Sequence, residues 1–139
     1  PSKLVHKQRA ETSSAIAARV RVAREIQACR FAGCSIHINA EMSGEMTDRF
    51  CNLTDECKVL IEELANRLGL SARAFTRILK LSRTIADLEV AREICEKQGS
   101  YEEYIQEQLA NDCSWPHIQP RHIMEAVGYR FLDRMNMMM

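Results

Sequence analysis

The segment Leu68–Glu89, LGLSARAFTRILKLSRTIADLE, joins a helix stop to a helix start with no linker, and it constrains the fold more than any other part of the chain. Gly69 can end one helix in the left-handed conformation, and Ser71 can cap the next by accepting a backbone N–H bond. Ala74, Ile78, Leu81, Ile85 and Leu88 then recur at the spacing of one buried helical face, which predicts a helix from Ala72 to about Val90. Arg73, Arg77 and Lys80 form a second stripe beside that face, starting in the first turn. A cation there opposes the helix dipole at a cost of roughly a few tenths of a kcal/mol when exposed, so local physics gives Arg73 no reason to be there. An external anion would supply one.

Two arrangements use such a helix pair. One is a helix-turn-helix with Leu53–Leu68 as the positioning helix and Ala72–Leu88 laid along DNA; the other is the helical lid of an ATPase, whose arginine reaches the nucleotide phosphates. GLSARAFTRILKLSRTIADLE closely resembles the C-terminal domain of magnesium-chelatase-like AAA+ ATPases of the YifB/ComM competence type. Upstream, SSAIAARVRVAREIQACRF is similar to that family's opening helix. Downstream, HIQPRHIMEAVGYRFLDR is similar to its closing helix, with Gly128 where the family pattern usually has glutamine. The resemblance covers roughly residues 12–89 and 117–134, in the family's order.

The resemblance implies an all-α fold, a small helical bundle like the AAA+ C-terminal lid. It implies a linker over residues 1–13 from an ATPase core upstream, a lid over 14–134 and a tail over 135–139. Arg73 matches the sensor-2 arginine of the family's S-A-R motif and would contact the β/γ-phosphates of ATP, bound with Mg2+ in the full-length parent. Gly69 and Ser71 would fix where its helix begins; Arg77 and Lys80 could approach the nucleotide, an adjacent subunit or only water. The implied parent is a homo-oligomeric, hexameric ring motor linked to DNA processing, with a magnesium chelatase motor subunit as the alternative. Arg83 belongs to the family-like R-T-I-A-D-L run, but an ion pair with Asp87 at i+4 accounts for it equally well.

After Val90 the chain departs from the family: AREICEKQGSYEEYIQEQLANDCSWP, about 91–116, reads as an insertion. Its first part is expected to prolong the helix to Gln98, where Gly99 stops it. Ser100 and Glu103 form a capping box for a second helix to about Asn111. Tyr101, Tyr104, Ile105 and Leu109 give that helix an apolar stripe, either packed on the lid or offered to a partner. The last helix is expected from Arg121 to about Phe131, started by Gln119 and Pro120.

The rest of the layout is helical too. A first helix from Ser14 to Phe31 is expected, capped by Ser13 or Ser14, with Ile16, Val20, Ala23 and Ile26 toward the core. Its Arg19, Arg21, Arg24 and Arg30 spread around the axis, as solvated or paired residues do. An extended connector over Gly33–Asn39 and short helix over Ser43–Phe50 lead to a helix over Thr54–Leu68, whose core series is Leu53, Cys57, Leu60, Ile61, Leu64 and Leu68.

Composition narrows the chemistry. No G-x-x-x-x-G-K-[ST] occurs and the five glycines stand singly, so this chain alone cannot build a phosphate-cradling loop and is not expected to hydrolyse ATP. Nineteen basic and nineteen acidic residues cancel, leaving no overall field to draw the chain onto nucleic acid or an anionic membrane. The first fifty residues carry eight Lys/Arg against five Asp/Glu, and residues 91–139 the reverse bias, five against eight. No apolar run reaches membrane-spanning length and no signal-peptide core opens the chain, so a cytoplasmic location without a membrane partner is expected. The six cysteines form no C-x-x-C pair. Buried free thiols explain them; a zinc site from Cys29, Cys34 and His37 would lack a second pair, and nothing points to disulfides. His6, His37, His117 and His122 are scattered and carry no assigned role.

Overall fold

The computed structural model describes residues 11–97 and 99–138, with side chains through Tyr129. All regular structure among them is helical: α1 (Ser13–Arg30), a 3-10 turn (Asn39–Glu41), α2 (Gly44–Phe50), α3 (Asp55–Leu68), α4 (Ala72–Glu96), α5 (Glu102–Asn111) and α6 (Pro120–Met138). The all-α expectation holds. The first ten residues of the expected linker, the Gln98 end expected for the long helix, His6 and Met139 lie outside the described residues.

Local chemistry sets most of the boundaries. Thr54 Oγ1 accepts the Cys57 N–H at 3.2 Å, Ser71 Oγ accepts that of Ala74 at 3.1 Å, and Ser43 Oγ accepts that of Met46 at 3.3 Å. Between α3 and α4 the backbone turns at Gly69, whose φ of 61° is the left-handed value that favours glycine. Two expected caps are corrected. Thr12, not Ser13 or Ser14, caps α1 by accepting the Ala15 N–H at 3.1 Å. The Ser100–Glu103 capping box does not form: Ser100 Oγ donates to Glu102 instead, and Tyr101 precedes the helix, its hydroxyl donating to Glu25 at 3.3 Å.

α4 is the axis of the domain. Its 25 residues span about 37 Å, and it packs along α1 on one side and α6 on the other. Near its N-terminal half lies a core of Phe31, Phe50, Ile61, Ile78, Ile118 and Ile123, in which the Phe31 and Phe50 rings meet edge to face at 5.2 Å. Near its C-terminal half lies a second core of Val22, Ala23, Ile26, Ala91, Ile94 and Ile105. The apolar stripe of α5 therefore packs on the domain itself: Ile105 is buried, Tyr101 and Leu109 lie against it, and only Tyr104 stays half exposed, edge-on to Trp115.

Two expected buried faces are also revised. On α1, Val22, Ala23 and Ile26 face the core, whereas Ile16 and Val20 are 43% and 39% exposed. The first seven residues of α1 are exposed or only partly covered. On α4, Ala74 and Ile78 are buried as expected, but farther along it is Ser82, Arg83, Ala86 and Asp87 that are enclosed, with Leu81, Ile85 and Leu88 only partly covered. α3 presents Cys57 and Ile61 inward, with Leu53, Leu60 and Leu64 against the core and Leu68 at 40% exposure beside the turn.

Candidate functional site

The N-terminal end of α4 is built by its two boundary residues. Gly69 turns the chain and Ser71 caps α4 by accepting the Ala74 N–H, so Arg73 stands in the first turn of a long helix. No acidic residue shares that turn. Arg73 and Arg77, one turn apart on the same face, are both exposed, and neither has an ion-pair or hydrogen-bond partner among the described residues. Two guanidiniums at the positive end of a helix dipole can hold a polyanion by charge and by forked N–H donation. Lys80, one turn farther, is half-buried, and its Nζ donates to the Ala40 carbonyl at 3.2 Å. That bond ties α4 to the 3-10 turn and sets Lys80 apart from Arg73 and Arg77.

Arg83 does something different. It is fully buried, and its guanidinium donates to the carbonyls of Phe50 at 3.1 Å, Ser114 at 2.8 Å and Pro116. Its Nε lies 3.5 Å from Asp87 Oδ1, which is the i+4 pair foreseen from the sequence. Burial pulls the guanidinium down to about 10 despite the Asp87 charge. The same carboxylate takes both nitrogens of Arg30, at 2.8 and 2.7 Å, and Asn39 Nδ2 at 2.8 Å. Arg30 is thus no solvated residue. It also donates to Asn39 Oδ1 at 3.0 Å and the Trp115 carbonyl at 2.9 Å. This network joins α1, the 3-10 turn, α4 and the segment 114–116, and the only local sign of it in the sequence is the i+4 spacing of Arg83 and Asp87.

The remaining polar clusters are structural. Glu89 on α4 binds Arg121 and, at 3.0 Å, His122 Nε2, while His122 Nδ1 accepts the Gln119 N–H at 2.8 Å just before α6 begins. Glu89 is held down at about 2, chiefly by the Arg121 bond and secondarily by His122. Cys51 and Cys57 are buried and Cys95 is exposed, with Cys29, Cys34 and Cys113 between. Cys29, Cys34 and His37 do not converge: among the described residues no three His, Cys, Asp or Glu side chains are grouped to hold a metal ion. No described helix is long and apolar enough to cross a membrane.

Comparison with known proteins converges on one family. The family model for magnesium chelatase, subunit ChlI C-terminal, matches residues 10–100. The chain is 38% identical to the competence protein ComM of Haemophilus influenzae, over 91% of this chain and 19% of that protein. It is 31% identical to the uncharacterized protein YifB of Salmonella typhimurium, over 94% of this chain and 20% of that protein, and 32% identical to YifB of Escherichia coli, over 90% and 19%. The chain therefore spans about a fifth of the length of the curated relatives it matches. No solved structure matches it.

Proposed function

The chain belongs to the magnesium chelatase subunit ChlI C-terminal family, and from that premise we propose that it is the lid of a longer AAA+ ATPase, with Arg73 as the residue that senses the nucleotide. One observation carries the reading: an exposed arginine without a partner among the described residues stands in the first turn of the central helix, where its charge opposes the helix dipole. A nucleotide phosphate on an upstream core reverses that sign. Arg73 then gains a charge-assisted bond that exists only while nucleotide is present, and α4 carries the pull through both hydrophobic cores.

The residues fit a bound ATP in this limited sense. Arg73 would hold its outer phosphates, Arg77 is placed as a second cation, and Gly69 and Ser71 position both; ATP with Mg2+ supplies the transferable phosphoryl group. Loop, magnesium ligands and attacking water belong to the core, since this chain has no phosphate-cradling loop. The Haemophilus relative is named a competence protein, which favours a competence role for the parent over chelation, and we read that role as that of a ring motor acting on DNA. A cytoplasmic, hexameric parent accords with that reading. The helix-turn-helix alternative draws little support from packing, because the main helical neighbour of α3 is α6 and not the helix that would read DNA.

The test is the steady-state ATPase rate of the chain with its natural upstream sequence restored, as wild type and Arg73→Ala, with and without DNA. A fall of about ten-fold or more in a folded variant, ~1.4 kcal/mol of transition-state stabilisation, is expected. A rate indifferent to Arg73 overturns the site. Tight, salt-sensitive duplex binding by the 139-residue chain itself would favour the DNA-reading alternative.

A further inference from the structure

Five residues of α4, Arg73, Arg77, Lys80, Thr84 and Asp87, follow one line along the helix at i, i+4, i+7, i+11 and i+14. Burial rises along it: Arg73 and Arg77 are exposed, Lys80 and Thr84 are partly covered, and Asp87 is enclosed. The 3-10 turn bonds the three covered positions. Its Ala40 carbonyl accepts from Lys80 Nζ at 3.2 Å, and Asn39 Nδ2 donates to Thr84 Oγ1 at 3.1 Å and to Asp87 Oδ2 at 2.8 Å. The turn is itself fixed to α1, since the Asn39 N–H donates to Gln27 Oε1 at 2.8 Å and Asn39 Oδ1 accepts from Arg30 at 3.0 Å.

We propose that Lys80 is a positioning residue for nucleotide sensing: its bond to the turn sets the rotation of α4 about its axis, and with it the direction in which Arg73 points. At this end α4 is otherwise seated by apolar side chains, Phe75, Ile78 and Leu79, whose attraction has no direction and so resists separation more than rotation. A hydrogen bond weakens steeply as it bends, so a bond made from the line of the cations resists that rotation. Lys80 stands one turn beyond Arg77 and two beyond Arg73, nearer to them than Thr84 or Asp87, and a phosphate's pull on Arg73 is passed to its bond first. Such aim matters, because a misplacement of about 1 Å can cost a catalytic contact most of its effect. Lys80 is also the one member of the clasp whose loss leaves the buried bonds of Asn39 and Asp87 in place. The proposal deepens the lid reading and rests on it.

A double-mutant cycle on kcat/KM for ATP tests it, in the parent that includes the upstream sequence, with Lys80→Met, Arg73→Ala and both together. Lys80→Met keeps the aliphatic stem and removes the donor; it is expected to lower kcat/KM about five-fold when Arg73 is present and by less than about two-fold in the Arg73→Ala background. Lys80→Arg, which keeps a donor, is expected to stay within about two-fold of wild type. A Lys80→Met rate equal to wild type overturns the proposal. So does an equal loss in both backgrounds, which would make Lys80 a structural residue or a phosphate ligand in its own right, and so does a Lys80→Arg variant as slow as Lys80→Met. Failure of the lid reading looks different: Arg73→Ala would then match wild type, leaving Lys80 no sensor to aim and overturning both.

Discussion

Arg30 and Asp87, 57 residues apart in sequence, meet as a forked pair of 2.7 and 2.8 Å with no solvent on either side chain. Asp87 also faces Arg83, so one carboxylate answers two buried guanidiniums, and the excess charge is met by four backbone carbonyls and Asn39. Such a group holds together only while complete. Asp87→Ala leaves two buried cations without a counter-charge and is expected to destabilise the domain by about 3–5 kcal/mol, read as a lower midpoint in urea. Arg30→Met is expected to cost less, because Asp87 keeps Arg83 and Asn39. Equal losses for the two would mean that the carboxylate is not the centre of the network.

This network also marks how far the sequence could be read. The α3–α4 junction was legible because its causes are local: a glycine that tolerates φ of 61° and a serine whose oxygen reaches three residues on. The Arg83–Asp87 pair was legible as a spacing. The rotation of the buried face toward Ser82, Arg83, Ala86 and Asp87 was not, because polar residues are enclosed there by partners on α1 and on the segment 114–116. Ile16 and Val20 have core periodicity yet stay exposed, because a periodic stripe does not reveal which positions a neighbour covers. At the candidate site, Arg73 stood out by its unfavourable position alone, whereas the Lys80 bond to Ala40 depends on a turn 40 residues earlier.

The α3–α4 junction can be probed at each of its two boundary residues. Ser71→Ala removes the acceptor for the Ala74 N–H and is expected to cost about 1 kcal/mol, while Ser71→Asp restores it. Gly69→Ala meets no neighbouring atom, so its expected loss of about 1 kcal/mol is conformational. Chemical denaturation of the three variants checks both. No loss in Gly69→Ala would mean that the turn can form without the left-handed residue.

Glu89 makes stability depend on pH in one direction. Its carboxyl is lowered from 4.5 to about 2 in the folded state, first by Arg121, so its contribution is complete above about pH 4.5 and is lost as pH falls toward 2. The pair is partly exposed and screened, which limits the contribution to about 1 kcal/mol. Unfolding free energy measured between these pH values should fall less in Glu89→Gln than in wild type. Parallel curves would remove Glu89 from the acid limb.

The thiols should separate by reactivity. Burial pushes Cys51 up to about 11, and Cys57 is enclosed with its Sγ 3.4 Å from the Ile118 carbonyl, whereas Cys95 is exposed. Alkylation at about pH 8 is expected to reach Cys95 first and to spare Cys51 and Cys57 until the chain unfolds. Mass mapping after partial labelling reads the order, and early modification of Cys51 would show that the Phe31–Phe50 core opens locally.

Arg73 offers the sharpest contrast between stability and function. Its charge opposes the α4 dipole and no acidic residue shares the first turn, so Arg73→Glu is expected to stabilise the isolated chain by about 0.3–1 kcal/mol at low salt. In the parent the same change sets a carboxylate against the nucleotide phosphates, and the ATPase rate is expected to fall further than with Arg73→Ala. Opposite signs for the two effects are what a residue retained for an external anion produces. A loss of stability in the isolated chain would mean that Arg73 serves its own fold, and the main support for its contact with the nucleotide would be gone.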